Sequence, residues 1–395
     1  MATARARGRD RSVGCEPLSA HLRELMTSVK AEVVSVHVRS PSGAPQVLAQ
    51  LRATNLDPGR GRVGCDIADV VETESLDDLL ARGTVFVQSG DTRGTNVSLM
   101  FTPLTVGERI EGCICVGGAR RRSWTCDDIA TLIDARWVIE ELVRRGKAPA
   151  GPDECGESEL GEVVGVLGGM GPAASAAFLT TLVEATPASA DQGHLHVLLD
   201  SNPQVPDRTA FLLGNGPDPR PALLDGARRL RAAGATCLVI PCNTANVFAP
   251  YLAQHVAMSI VPWISTAVAA VPGGGAVGIL ATEGTIRSQV YQRALARVGR
   301  SAVEPEPAER AVVMDAIYGP EGVKRGTLSP RARESLVAVA RSLASRGAEQ
   351  ILLACTELPL LLGADADAWP VPATDPSLAM AQRLVKTLRI DRRLG

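Results

Sequence analysis

Aromatic side chains are scarce in this chain. Phe, Trp and Tyr make up 3% of its 395 residues, so stacking platforms for nucleobases are few. An excess of charge of one sign is missing too: 41 basic and 43 acidic residues leave a net charge of -2. That balance carries no electrostatic footprint for nucleic acid, and no nucleic-acid partner is expected. No apolar run approaches the roughly 18 residues of a membrane span, so no membrane partner is expected either. The basic N-terminus "MATARARGRDRSVG" is not followed by an apolar core segment and does not read as a secretory signal. Residues 1–19 read as a disordered lead. The nine cysteines are odd in number and include no C-x-x-C pair. With no His/Cys cluster at zinc spacing, the pattern indicates free thiols in a reducing cytoplasm and no metal site.

The rest of the chain divides by composition. Residues 146–161, "GKAPAGPDECGESELG", are rich in Gly, Pro and acidic side chains and read as a linker. After it, "EVVGVLGGMGP" reads as a buried parallel strand entering a Gly-rich loop, and "AASAAFLTTLVEAT" as a helix. "HLHVLLD" is a further strand, and "DPRPALLDGARRLRAAG" a helix stopped at Gly234. "TCLVIP" reads as a strand and "TANVFAPYLAQHV" as a helix. Strands alternating with helices argue for an α/β fold with a parallel sheet.

The C-terminal part repeats itself. "AGATCLVIPCNTAN" matches "RGAEQILLACTELP", and Cys242 and Cys355 fall at the same place in each, 113 residues apart. At that same offset Val164-Gly165-Val166-Leu167 matches Val277-Gly278-Ile279-Leu280, Gly171 matches Gly284, and Gly234-Ala235 matches Gly347-Ala348. Two similar α/β lobes follow, residues 162–270 and 276–390, each carrying one cysteine beyond a strand's carboxyl end. General βα resemblance accounts for the strands but not for a cysteine in register in both. A helix N-terminus and nearby cations are expected to lower both thiols toward neutrality. Two lobes facing across a cleft bring one thiol to each face of a substrate carbon, which is the geometry of two-base proton transfer and stereoinversion. Cys113, Cys115 and Cys237 read as buried structural thiols.

The motifs "GVLGGMGP", "SNPQVPDRTAFLLG", "PCNTAN", "ATEGTIRSQVY", "GVKRG" and "ACTELP" resemble those of the aspartate/glutamate racemase family, and within it the PLP-independent aspartate racemases. The resemblance covers residues 162–390. It implies two pseudo-symmetric parallel-sheet lobes, a homodimer, an amino-acid substrate and no cofactor, with Cys242 and Cys355 catalytic. It also implies that Arg208 and Lys324 hold a substrate carboxylate and favour a thiolate. Lys324 is one of only four lysines, and Arg208 offers a bidentate fork. Asn243 and Thr244 follow the first cysteine, and Thr356 and Glu357 the second; their polar groups suit an α-carboxylate, and Glu357 alternatively orients a thiol or the substrate ammonium. Gly169 and Met170 are expected to line the cleft from the first loop, and Thr282 and Thr285 from the second. Gln204 is a further hydrogen-bonding candidate. His194 and His196 read as structural.

Glutamate racemases of this superfamily usually carry an Asp-Ser pair where this chain has "GGMGP", the aspartate-type pattern. Ser201, where aspartate racemases often have Asn, together with Ala281 and Glu283, leaves room for glutamate or another amino acid.

Residues 20–145 read as strands followed by a helix opening at Thr125 with Asp127 and Asp128 in its first turn. "LMFTPLTVGERIEGCICVGG" and "SWTCDDIATL" resemble a GAF domain, which implies an α+β module that binds a small ligand or pairs with a second copy. The expected function is a cofactor-independent racemase, favouring aspartate. The alternative is a regulatory or sensor protein that uses a racemase fold for ligand binding; retention of both cysteines, Arg208 and Lys324 weighs against it.

Overall fold

The computed structural model describes residues 15–29, 31, 33–39, 45–52, 86–92, 95–106, 109–119, 124–146, 162–362 and 369–388. The chain divides into two compact units, Met1–Gly161 with Pro250–Val261, and Glu162–Ala249 with Pro262–Gly395. Most of the expected linker (147–161), residues 1–14 of the expected lead and residues 389–390 of the second lobe lie outside the described residues.

The first unit opens with helix Cys15–Ser28. The helix begins inside the stretch expected to be disordered. The reason is an apolar stripe: Leu18, Leu22 and Leu25 recur at helical spacing and are all buried. Strands β1 (Val33–Arg39), β2 (Pro45–Arg52), β3 (Phe86–Thr92), β4 (Thr95–Val106) and β5 (Arg109–Ala119) form an antiparallel sheet in the order β2-β1-β5-β4-β3. Helix Cys126–Gly146 follows. Thr125 donates from its backbone N–H and its hydroxyl to Asp128, at 2.8 and 2.9 Å, and accepts the Asp128 N–H in return. This reciprocal cap opens the helix at the expected residue. The result is the α+β arrangement expected of this part.

The second unit holds the repeat. Its strands are β6 (Val163–Gly168), β7 (His196–Ser201), β8 (Cys237–Val239), β10 (Val277–Ala281), β11 (Ala302–Val303), β12 (Gln350–Ala354) and β13 (Ala373–Thr374); the two-residue β9 (Ser259–Ile260), between β8 and β10 in the chain, belongs to the first unit. β6 pairs in parallel with β7 on one side and β8 on the other. β10 does the same with β11 and β12, and β12 also pairs with β13. Both faces of the β10–β12 sheet are apolar. Ile279, Leu352 and Ala354 pack on one side, and Leu280, Ile351 and Leu353 on the other. Continuous apolar runs, not alternating ones, are what a parallel sheet covered on both faces requires.

The 113-residue offset is visible in atomic detail. Thr236 N–H donates to Val163 O at 2.9 Å, and Glu349 N–H to Ala276 O at 2.9 Å. A Cβ on Gly165 would lie 2.9 Å from the Ala235 methyl; one on Gly278 would lie 3.2 Å from the Ala348 methyl and 2.7 Å from Ile351. The matched glycines are therefore the places where each central strand admits the next strand's entry. Gly234 and Gly347, with φ of 100° and 96°, end the preceding helices.

Two expectations require correction. The strand expected over "TCLVIP" is only Cys237–Val239, because Ile240 and Pro241 turn away toward the loop. The helix expected over "TANVFAPYLAQHV" is a 3-10 turn, Thr244–Phe248, followed by a short α-helix, Ala249–Ala253. Asn246 explains the tightening: its amide donates to Ile240 O at 2.8 Å and Cys242 O at 2.9 Å, and its backbone N–H shares Cys242 O and Asn243 O.

Candidate active site

Both cysteines of the repeat line one cavity, about 260 Å³ counted out to open solvent. Cys242 leaves the end of β8, and Cys355 directly follows β12. Met170, Arg208, Asn243, Thr244, Thr282, Lys324, Thr356 and Glu357 line the same cavity, and so do Thr209 and Tyr318. Met170, Asn243, Thr244, Thr282, Thr356 and Glu357 lie beyond the carboxyl ends of β6, β8, β10 and β12, where open parallel sheets bind ligands, while Arg208, Thr209, Tyr318 and Lys324 come from helix ends and a 3-10 turn.

The first loop is built by Ser175, whose hydroxyl accepts from Gly169 N–H and donates to Gly171 O, each at 2.9 Å. Pro172 at the start of helix Pro172–Glu184 fixes the loop's exit. Gly169 itself does not line the cavity. Its φ is 87°, and a Cβ there would lie 2.4 Å from the Asn202 backbone, so it shapes the loop that presents Met170.

Asp207 caps helix Arg208–Leu212 by accepting from Ala210 N–H at 2.7 Å. This sets Arg208, only 7% exposed, at the cavity wall. Its guanidinium donates to Val205 O, Pro206 O and Met170 O at 3.1–3.2 Å, while Nε is buried without a hydrogen-bond partner among the described residues. Burial works against its charge, but the neighbouring Cys242, followed by Asp207, outweighs it and holds the guanidinium's pKa up. Gln204 is exposed and lies outside the cavity lining. Its backbone N–H closes a turn on Asn202, which turns the segment toward solvent.

Around Cys355 the groups form a chain. Its thiol donates to Glu357 Oε2 at 3.2 Å. Glu357 Oε1 accepts from Lys324 Nζ at 2.5 Å and from Gly171 N–H at 2.9 Å. Lys324 stands in the 3-10 turn Val323–Arg325 and also reaches Met170 O at 3.3 Å. Burial alone would raise the Glu357 carboxyl, but the Lys324 ammonium and the hydrogen bonds it receives hold it below the ordinary carboxylate range. Lys324 is likewise held up by Glu357 against the cost of burial. The expectation of a lowered thiol is reversed at Cys355. Burial first, and then the Glu357 carboxylate, push it well above an ordinary thiol, against the opposing pull of Lys324. Helix Leu358–Leu362 starts three residues on and is only five residues long, so it offers little counter-field. At Cys242 the following turn is 3-10, not an α-helix N-terminus.

The second loop arrives through hydroxyls. Thr282 caps helix Glu283–Ser288. Thr244 Oγ1 lies 3.1 Å from Thr282 Oγ1 and 2.8 Å from Thr285 Oγ1, tying the first cysteine's loop to the second lobe. Thr285 itself lies behind the lining. Asn243 Oδ1 accepts from Trp263 Nε1 at 2.9 Å and from the Tyr291 hydroxyl, while its Nδ2 is buried without a partner among the described residues.

Four residues at or behind the cavity carried no assignment from the sequence: Thr209, Tyr318, Trp263 and Tyr291. Tyr318, whose hydroxyl donates to Asp207 at 3.0 Å, ends helix Pro307–Tyr318. Its only signal was the scarcity of tyrosine, three in the chain. Tyr291 stood inside the "SQVY" motif without a role. His196 is the first residue of β7, and His194 precedes it; neither lines the cavity.

A family model described as Asp/Glu/Hydantoin racemase matches residues 167–384. The chain is 26% identical over 235 residues to a broad-specificity amino-acid racemase of Bacillus subtilis, covering 57% of this chain and 97% of that protein. It is 38% identical over 136 residues to a glutamate racemase of Deinococcus radiodurans, covering 33% of this chain and 44% of that enzyme. Among solved structures, the aspartate racemase of Picrophilus torridus superposes with a TM-score of 0.50 at 27% identity, covering 58% of this chain and 94% of that one. With the family model spanning more than half of its length, this chain belongs to the Asp/Glu/Hydantoin racemase family.

Proposed function

We propose that this protein racemises an acidic amino acid, with aspartate as its preferred substrate, by two-base proton transfer between Cys242 and Cys355 and without PLP. The observation that carries the reading is the single cavity lined by both repeat-related cysteines, a guanidinium and an ammonium. One thiolate removes the α-hydrogen and the opposite thiol delivers a proton to the other face. Arg208 and Lys324 supply the positive charge that a dicarboxylate needs. Cys355, held protonated against Glu357, is the proton donor of the resting site. Cys242 lies beside the Arg208 guanidinium and takes the complementary role on the opposite face.

Aspartate is favoured by the "GGMGP" loop, the aspartate-type pattern, which puts Met170 in the cavity lining, and by the likeness to the Picrophilus torridus aspartate racemase. The likeness to the Bacillus subtilis racemase, described as broad in specificity, favours a second reading in which further amino acids are accepted. The first unit then serves as a GAF-like module that stabilises the enzyme or binds a small regulator. Chiral chromatography of L-aspartate, L-glutamate and a panel of neutral amino acids, incubated with PLP-free protein, tests both. D-aspartate forming fastest supports the first; a neutral amino acid turning over faster contradicts it.

A further inference from the structure

Asn243 is one of the most confined polar side chains at the cavity, 2% exposed, and its amide is held in a single sense. Its Oδ1 accepts from the indole Nε1 of Trp263 and from the Tyr291 hydroxyl. An indole N–H can only donate, so the amide atom facing it has to be oxygen. The amide nitrogen therefore points the other way, and it is buried without a partner among the described residues. Trp263 and Tyr291 are 1% and 0% exposed and do not line the cavity themselves. Trp263 opens helix Trp263–Ala270, and its ring packs on Phe178 at 5.7 Å between centroids. Tyr291 sits in the apolar cluster beneath β10 and β12. Both donors thus stand on rigid elements. Burial, partly offset by Trp263, pushes the Tyr291 phenol well up, so the hydroxyl stays a donor across the working range.

We propose that Trp263 and Tyr291 are positioning residues that lock the Asn243 amide with Nδ2 toward the cavity, making it a donor-only contact for the substrate's α-carboxylate. The inference rests on the racemase reading above. Asn243 directly follows Cys242, the thiol that has to meet the α-hydrogen, so its amide faces a substituent of the same carbon. A site that only donates there accepts a carboxylate and excludes the α-ammonium, whose N–H groups would meet N–H groups. This fixes which way round the amino acid enters, and a cleft with two similar lobes needs such a device. An unlocked amide is free to rotate and to offer oxygen instead.

The test compares two ligands of the full-length protein by calorimetry: L-aspartate, and L-aspartic acid α-amide, whose carboxamide can meet either amide orientation. Wild type is expected to favour the carboxylate. In Tyr291→Phe, and more in the Trp263→Phe/Tyr291→Phe double variant, aspartate affinity is expected to fall about 10-fold or more, the worth of one hydrogen bond to a charged group. The α-amide's affinity should hold. KM for aspartate should rise more than kcat falls. Asn243→Asp, which preserves the shape and still accepts from both rings, should invert the preference and serves if the double variant does not fold. Parallel weakening of both ligands, or an unchanged ratio, overturns the inference while leaving the racemase reading intact. Wild type that neither binds nor turns over any acidic amino acid overturns both.

Discussion

The Cys355 thiol donates to the Glu357 carboxylate across 3.2 Å, and the opposite oxygen of that carboxylate takes the Lys324 ammonium. The carboxylate is thereby kept charged and the thiol kept protonated. A raised thiol pKa means less thiolate at neutral pH. Replacing Glu357 by Gln removes the negative charge and frees Lys324 to act on the sulfur, so Cys355 should ionise at lower pH. Site-resolved iodoacetamide labelling against pH checks this: the Cys355 profile moves down in Glu357→Gln, and an unmoved or rising profile contradicts the chain described.

The same pair has a stability signature. Glu357 titrates below its unfolded value, so the stability it contributes is complete above the unfolded carboxylate range and is lost as pH falls through the folded value. The gap in melting temperature between wild type and Glu357→Gln should be flat from neutral pH down to about 5 and narrow only below about 4. Lys324→Met should lower kcat/KM about 100-fold or more, since it strands a buried carboxylate beside Cys355, the proposed acid.

Thr244, Thr282 and Thr285 share hydroxyl contacts at 2.8–3.1 Å, all buried. Thr282→Val removes a helix cap and two of these contacts together. A loss of about 1–2 kcal/mol is expected in denaturant titrations, with kcat/KM reduced because Thr244, beside Cys242, is left with its Thr285 contact alone. Thr282→Ser, which keeps the hydroxyl, should restore most of both.

Gly165→Ala sets a methyl group 2.9 Å from that of Ala235. Overpacking of this kind costs about 1–3 kcal/mol. Adding Ala235→Gly should recover part of the loss, and a thermal melt of the three variants reads the coupling directly.

Much of this arrangement was legible from the repeat. A single 113-residue offset located both cysteines, because the strands before them begin in register, Cys237 against Gln350, although β8 ends three residues before Cys242 and β12 one residue before Cys355. Arg208 and Lys324 were legible from their short motifs. Residues acting through space were not: Trp263 and Tyr291 reach Asn243 from 20 and 48 positions away, and although Tyr291 ends the "ATEGTIRSQVY" motif, nothing local gives either residue that role. Gln204 falls outside the cavity lining, where a turn on Asn202 that a motif does not encode directs the loop. The lowered thiol expected at Cys355 failed for a similar reason. Burial and a carboxylate two residues on outweigh a five-residue helix. The strand and helix near Cys242 were read too long because Asn246 folds its amide back onto Ile240 O and Cys242 O.

The most direct measurement is α-proton exchange of L-aspartate in D2O by NMR with PLP-free protein, followed by the same in Cys242→Ser and Cys355→Ser. The account predicts deuterium at the α-carbon with appearance of the D-enantiomer in wild type, and a fall in racemisation of about 100-fold or more in each variant. Racemisation that survives loss of either cysteine would contradict it, as would an absence of exchange with every acidic amino acid tried.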